Sequence, residues 1–127
     1  MDRRRVRSDR GQVALEYIGF VPILLFVALC GIQLGWVAYA EEQAGTAARA
    51  AARVQAQKGS GGEAAGRAAI SGGLASSARF DWSTTTADAV SVKVTLTAKS
   101  ILPGLDAHEA SSTAVMPNDD PTLPKGP

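Results

Sequence analysis

From residue 17 to residue 40 the chain carries no charged side chain, and Gln33 is the one strongly polar residue in that stretch. As a helix the stretch is about 36 Å long, enough to cross a hydrocarbon core of about 30 Å with some tilt. Beyond it the pattern changes twice. Residues 41–57 are rich in alanine, the best helix former, so the helix is expected to continue. Arg49, Arg53 and Gln57 repeat at four-residue spacing along one face, while Ala44, Ala47, Ala48, Ala51 and Ala52 mark a small, flat one. Lys58-Gly59-Ser60-Gly61-Gly62 is a breaker. A second helix is predicted over 63–69 or onward toward Ala78, interrupted by Gly72-Gly73. Phe80 and Trp82, the large aromatics of this region, are expected in the core. Strict alternation then marks a strand over 89–99. Val90, Val92, Val94, Leu96 and Ala98 point one way; Ser91, Lys93, Thr95, Thr97 and Lys99 point the other. Pro103-Gly104 predicts a turn and residues 110–116 a return strand. Residues 117–127 hold four prolines and are expected to be disordered or extended.

This pattern divides the chain into a basic leader (1–11), a membrane helix with its extension (12–58), a small α+β region (59–116) and a proline-rich tail (117–127). The region after the helix has few Phe, Ile or Leu residues, and a unit with so thin a core is expected to lean on the long helix or on neighbouring subunits.

Charge gives the span a direction. Arg3, Arg4, Arg5, Arg7 and Arg10 precede it, while Glu41 and Glu42 follow at once. The arginine-rich side is expected in the cytoplasm and the C-terminal part outside, with Trp36 and Tyr39 as interfacial anchors. The leader through Gly11 has a net charge of +3 and the remainder −2, so the near balance of the whole chain says little about partners. A cleavable export signal competes with this reading, because Ala38-Tyr39-Ala40 before Glu41 is an A-x-A pattern. The apolar run is longer than the usual 7–15 residues of such signals. Cys30 reads as a small apolar residue of the span; as the sole cysteine it forms no intramolecular disulfide. Pro22 is expected to kink the helix or to free a carbonyl. Gly31 and Gly35 form a small-xxx-small pair that lets another helix approach, and Gln33, about 200° from Gly31, marks a different face.

Glu16 is the only charge between Arg10 and Glu41. A carboxylate inside a span costs about 2.5–3.5 kcal/mol at mid-helix and less near an end. It either has a partner or sits at the membrane boundary, where the cost is small.

Gly11-Gln12-Val13-Ala14-Leu15-Glu16-Tyr17 resembles the prepilin processing site of the Flp and TadE-like group, the type IVb pilins and pseudopilins of bacterial tight-adherence systems. The family pattern is a glycine, four residues, then Glu-Tyr. The apolar stretch 20–26 with its early proline and the alanine- and arginine-rich segment 43–53 are also similar to TadE-like proteins. The resemblance implies a type IV pilin-like α+β fold. It further implies cutting between Gly11 and Gln12 by a membrane prepilin peptidase, with Glu16 and Tyr17 as the assembly and processing motif. The new amine on Gln12 would meet the Glu16 carboxylate of a neighbouring subunit, unless the N-terminal Gln cyclises and loses its charge. The implied partners are the peptidase, other pilin and pseudopilin subunits, the assembly machinery and the lipid bilayer. The implied location is the bacterial cytoplasmic membrane, single pass, N-terminus inside. A major pilin of this group is little more than its helix, so the α+β region favours a minor component. The competing function class is an exported or anchored binding module, released after Ala40 or left uncut.

Catalytic chemistry is not expected. His108 and Cys30 are the only histidine and cysteine, too few for an ordinary zinc site. Asp106, His108, Ser111 and Ser112 lie close in sequence without the spacing of a triad. Gly59-Ser60-Gly61-Gly62 lacks the lysine and strand–helix context of a phosphate loop. The arginine face reads as solvated, since acidic residues balance it, and neither a nucleic-acid partner nor a cofactor is expected.

Overall fold

The computed structural model describes residues 6–85 and 88–118, with side chains for 11–83 and 88–118. Helix α1, Val6–Lys58, is 53 residues long, about 80 Å. Two short helices follow, α2 at Gly62–Ala68 and α3 at Gly72–Ala75. Three strands complete the chain: β1 Arg79–Thr85, β2 Ala89–Ala98 and β3 His108–Pro117. They form one antiparallel sheet in the order β1-β2-β3. The chain is α+β, a long apolar helix followed by a small sheet.

The two halves of α1 have different surroundings. Its residues 17–29 are apolar all round and bare: Ile18, Phe20, Ile23, Leu25 and Val27 are all exposed. Among the described residues this is the one helix long and apolar enough to cross a membrane, with a mean hydropathy of 2.3 over its best 18-residue window. A helix apolar on every face needs an apolar solvent. Its C-terminal half buries the alanine face predicted from the sequence, extended to Ala40 and Ala56. The helix passes Pro22 without a break.

The sheet covers that alanine face. Val90, Val92, Val94, Leu96 and Ala98 alternate inward along β2, at most 1% exposed. Their β3 partners include Ala114 opposite Val92 and Ala110 opposite Leu96. Alanine on one side and valine on the other let the layers meet closely, but each contact removes little apolar area from water. The core is therefore as thin as expected.

Helix α2 comes closer still. A Cβ placed on Gly62 would stand 2.7 Å from the Ala51 carbonyl oxygen and 2.6 Å from Trp82 Cη2. One placed on Gly66 would stand 3.0 Å from the Ala47 carbonyl oxygen and 2.5 Å from Phe80 Cε1. The α2 backbone thus lies against α1, and the two β1 aromatics close over its glycines. The α1–α2 turn uses Gly59 and Gly61 at φ 69° and 81°, the left-handed region that favours glycine. Gln55 staples it: Nε2 donates to the Gly59 carbonyl (2.8 Å) and Oε1 accepts from Gly62 N–H (3.4 Å).

Several boundaries differ from expectation. Helix α1 begins at Val6, so Gly11 lies within a helix rather than at its edge. The second helix ends at Ala68, and Gly72-Gly73 begin α3 instead of interrupting a helix. Ser71 makes the break, with extended backbone and its N–H donated to Gln43 Oε1 at 3.2 Å. Strand β1 is an element that the hydrophobic pattern does not announce. Its Phe80 and Trp82 are half-buried lids on the core rather than central residues. The tail expectation meets Pro117, which ends β3, and Asn118, whose N–H donates to the Asp88 carbonyl (2.9 Å). The rest of the tail, and leader residues 1–5, lie outside the described residues.

Candidate functional site

Gly11, Gln12, Glu16 and Tyr17 all lie on α1 and are exposed. Gln12 and Glu16 are four residues apart and share a face, one turn above the other. Glu16, Tyr17 and Phe20 frame a shallow hollow. No atom stands within 4 Å of where a Gly11 side chain would begin. Among the described residues the ion pairs are Arg79–Glu109 and His108–Glu41, and neither involves Glu16. A carboxylate on a bare apolar helix, with no ion-pair partner among the described side chains, calls for water, headgroups or a charge from outside them.

Gly31 and Gly35 are also open, with nothing within 4 Å of a built Cβ on either. Trp36 and Tyr39 stack, ring centroids 5.7 Å apart, at the level where α1 passes from bare to covered. Cys30 is half-buried and unpaired by disulfide.

Gln33 is the polar residue whose role the sequence left open. It is 9% exposed, and its Oε1 accepts a 2.7 Å hydrogen bond from Ile101 N–H. Ile101 belongs to the β2–β3 loop, residues 99–107. The loop continues along α1 toward its N-terminus, where Leu102, Pro103, Gly104 and Leu105 line a hollow with Phe26, Leu29 and Cys30. The polar residue of the span therefore faces the loop, away from the two open glycines. The available signals were Gln33 itself and the uncharged run Ser100-Ile101-Leu102-Pro103-Gly104-Leu105 between Lys99 and Asp106.

Asp106 and His108 stand at the base of the same loop. His108 Nε2 lies 3.4 Å from Glu41 Oε1, which ties the start of β3 to α1. Arg49 sits with Glu41, Glu42, Gly45, Thr46 and Ser112 around an open polar hollow. Among the described residues no group of three or more His, Cys, Asp or Glu side chains is placed to hold a metal.

Residues 11–53 match the family model described as TadE-like protein. The matched segment starts at Gly11, contains the Glu16-Tyr17 pair and the apolar span, and ends in the alanine face that carries the sheet. No curated protein and no solved structure matches the chain.

Proposed function

We propose, from the premise that residues 11–53 are the segment this chain shares with TadE-like proteins, that it is a minor pilin or pseudopilin of a tight-adherence pilus. The observation that carries the reading is the state of Glu16: exposed on a bare apolar helix, in line with Gln12, with no ion-pair partner among the described residues. A prepilin peptidase on the cytoplasmic face cuts between Gly11 and Gln12. The helix must unwind locally for this, which glycine eases and the first turns of a helix allow at low cost. The new Gln12 amine then pairs with Glu16 of a neighbouring subunit. Each charge alone is expensive in an apolar bundle, and together they satisfy each other, so the pair sets lateral register. Gly31 and Gly35 admit the neighbouring helix. The C-terminal unit stands outside the membrane, and the role is structural rather than catalytic.

The competing reading, release after Ala40, is favoured by the Ala38-Tyr39-Ala40 pattern. Against it, Ala40 is fully buried in the core, inside an unbroken helix. A cut there would remove Gln33 and Trp36, which pack under the loop and the core.

Intact mass and N-terminal sequencing of the protein extracted from its native membrane test the proposal. A chain beginning at Gln12 with a free amine is the expected result; a blocked one would keep the cleavage and remove the charge pair. A chain beginning at Glu41 would establish an exported module, and a retained leader would leave a simple anchor. The Glu16→Ala variant is expected to be processed yet absent from sheared filaments.

A further inference from the structure

We propose that the β2–β3 loop, residues 99–107, is a second membrane contact: its tip enters the leaflet on the side of the folded unit, beside α1. The inference rests on α1 being a membrane span. It does not depend on processing or on pilus assembly.

Placement is the first support. Leu102–Leu105 lie against Phe26, Leu29 and Cys30, seven to three residues below Gln33. At about 1.5 Å per residue the tip reaches about 5–10 Å beyond the Gln33 level and about 9–15 Å beyond Trp36, past the headgroups to the upper acyl chains. The lipid that bathes Phe26 and Leu29, which are 62% and 39% exposed, must also reach the outer side of the loop.

Composition is the second. Ile101 and Leu105 are 49% and 57% exposed. In water they would form an apolar knob at the end of a hairpin. Lys99 and Asp106 bracket the uncharged run at its shoulders, where headgroups and water would meet them.

Backbone chemistry is the third and the most specific. Irregular chain does not face the hydrocarbon interior, so backbone groups without a protein partner must stay at the boundary, where water and headgroups reach them. Here Ile101 N–H donates to Gln33 Oε1 (2.7 Å) and Leu102 N–H to Ser100 Oγ (3.2 Å). Leu105 N–H donates to the Leu102 carbonyl (3.4 Å), Pro103 has no N–H, and the exposed Gly104 N–H is left to water and headgroups at the boundary. The Leu102 carbonyl also accepts from Ser100 Oγ at 3.1 Å. Gln33 is thereby accounted for: a polar side chain in the span neutralises the backbone of a loop lowered beside it.

The test uses the full chain in phosphatidylethanolamine–phosphatidylglycerol vesicles. In a Cys30→Ala background, single variants Leu105→Cys, Ile101→Cys, Ile23→Cys and Ser76→Cys each carry an environment-sensitive fluorophore. Quenching by lipids bearing a spin label on the acyl chain is measured. Ile23, in the bare half of α1, is the control for the span; Ser76, exposed beyond α3, is the control for solvent. The expected result is loss of most of the Leu105 and Ile101 signal to a shallow acyl label, of Ile23 to a deep one, and none at Ser76. Loop positions that behave like Ser76 while Ile23 is quenched would overturn the proposal and leave the span intact; the loop would then face water or a neighbouring subunit. An unquenched Ile23 would overturn both.

Discussion

Gly62→Ala adds one carbon where the structure has no room. The new Cβ meets the Ala51 carbonyl oxygen at 2.7 Å, Trp82 Cη2 at 2.6 Å and Gln55 Cβ at 3.1 Å. The Trp82 ring can swing, since it is only half-buried, but the Ala51 oxygen belongs to the backbone of α1 and cannot. Helix α2 must therefore lift from α1. Overpacking of this kind costs about 1–3 kcal/mol. Helix propensity works in the other direction, by at most about 1 kcal/mol for Gly to Ala in a helix interior and by less in the first turn, where Gly62 sits. The steric term wins, and Gly62→Ala is expected to destabilise the folded unit by about 1–2 kcal/mol. For a unit of this size each kcal/mol lowers Tm by about 4–8 °C. The control is Gly72→Ala, also helical, where nothing lies within 4 Å of the built Cβ. It is expected to be neutral or to stabilise by about 0.4–1 kcal/mol through the unfolded state. Thermal melts of the detergent-solubilised chain, followed by circular dichroism, separate the two. Equal Tm values for both variants would refute the account of α2 as a helix held by close backbone approach.

Other substitutions probe different layers. Leu96→Ala removes the largest fully buried side chain and is expected to cost about 2–5 kcal/mol by the same melt. Gln33→Leu strands the Ile101 N–H and should cost about 1–3 kcal/mol, with amide exchange at Ile101 rising before that of the sheet. Glu109→Gln breaks the exposed pair with Arg79 and should change stability by less than about 1 kcal/mol, an effect that salt abolishes. A larger loss at high salt would mean that the pair acts through packing.

The alternation in β2 and the alanine face of α1 were legible because each periodicity reports a single buried face, and burial followed both residue by residue. Strand β1 was not. Arg79-Phe80-Asp81-Trp82 alternates over too few residues, and a register irregularity between Asp81 and Thr84 breaks the pattern. Its inward aromatics are matched by glycines on α2, a complementarity that exists only once both elements are placed. The Gly11–Tyr17 motif was legible as local sequence, whereas the meeting of Gln33 with Ile101, 68 residues away, has no local signal. Pro103-Gly104 announced the turn, with Gly104 at φ 89°, but not the direction in which the hairpin would point.

The hydrogen bond from Ile101 to Gln33 also fixes an azimuth. At about 100° per residue, Gln33 lies on the same side of α1 as Ala40, Ala44 and Ala51, so loop and sheet hang from one flank of the rod. Counted the same way, Gly31 and Gly35 stand about 60° and 100° from Glu16, and about 160–200° from Gln33. The glycines thus stand on the opposite flank, clear of the folded unit, while Glu16, about 100° from Gln33, stands at the side between the two. A subunit built like this has a front and a back. In the proposed assembly, a neighbour admitted at the glycines would leave the orientation of every sheet around the common axis already decided.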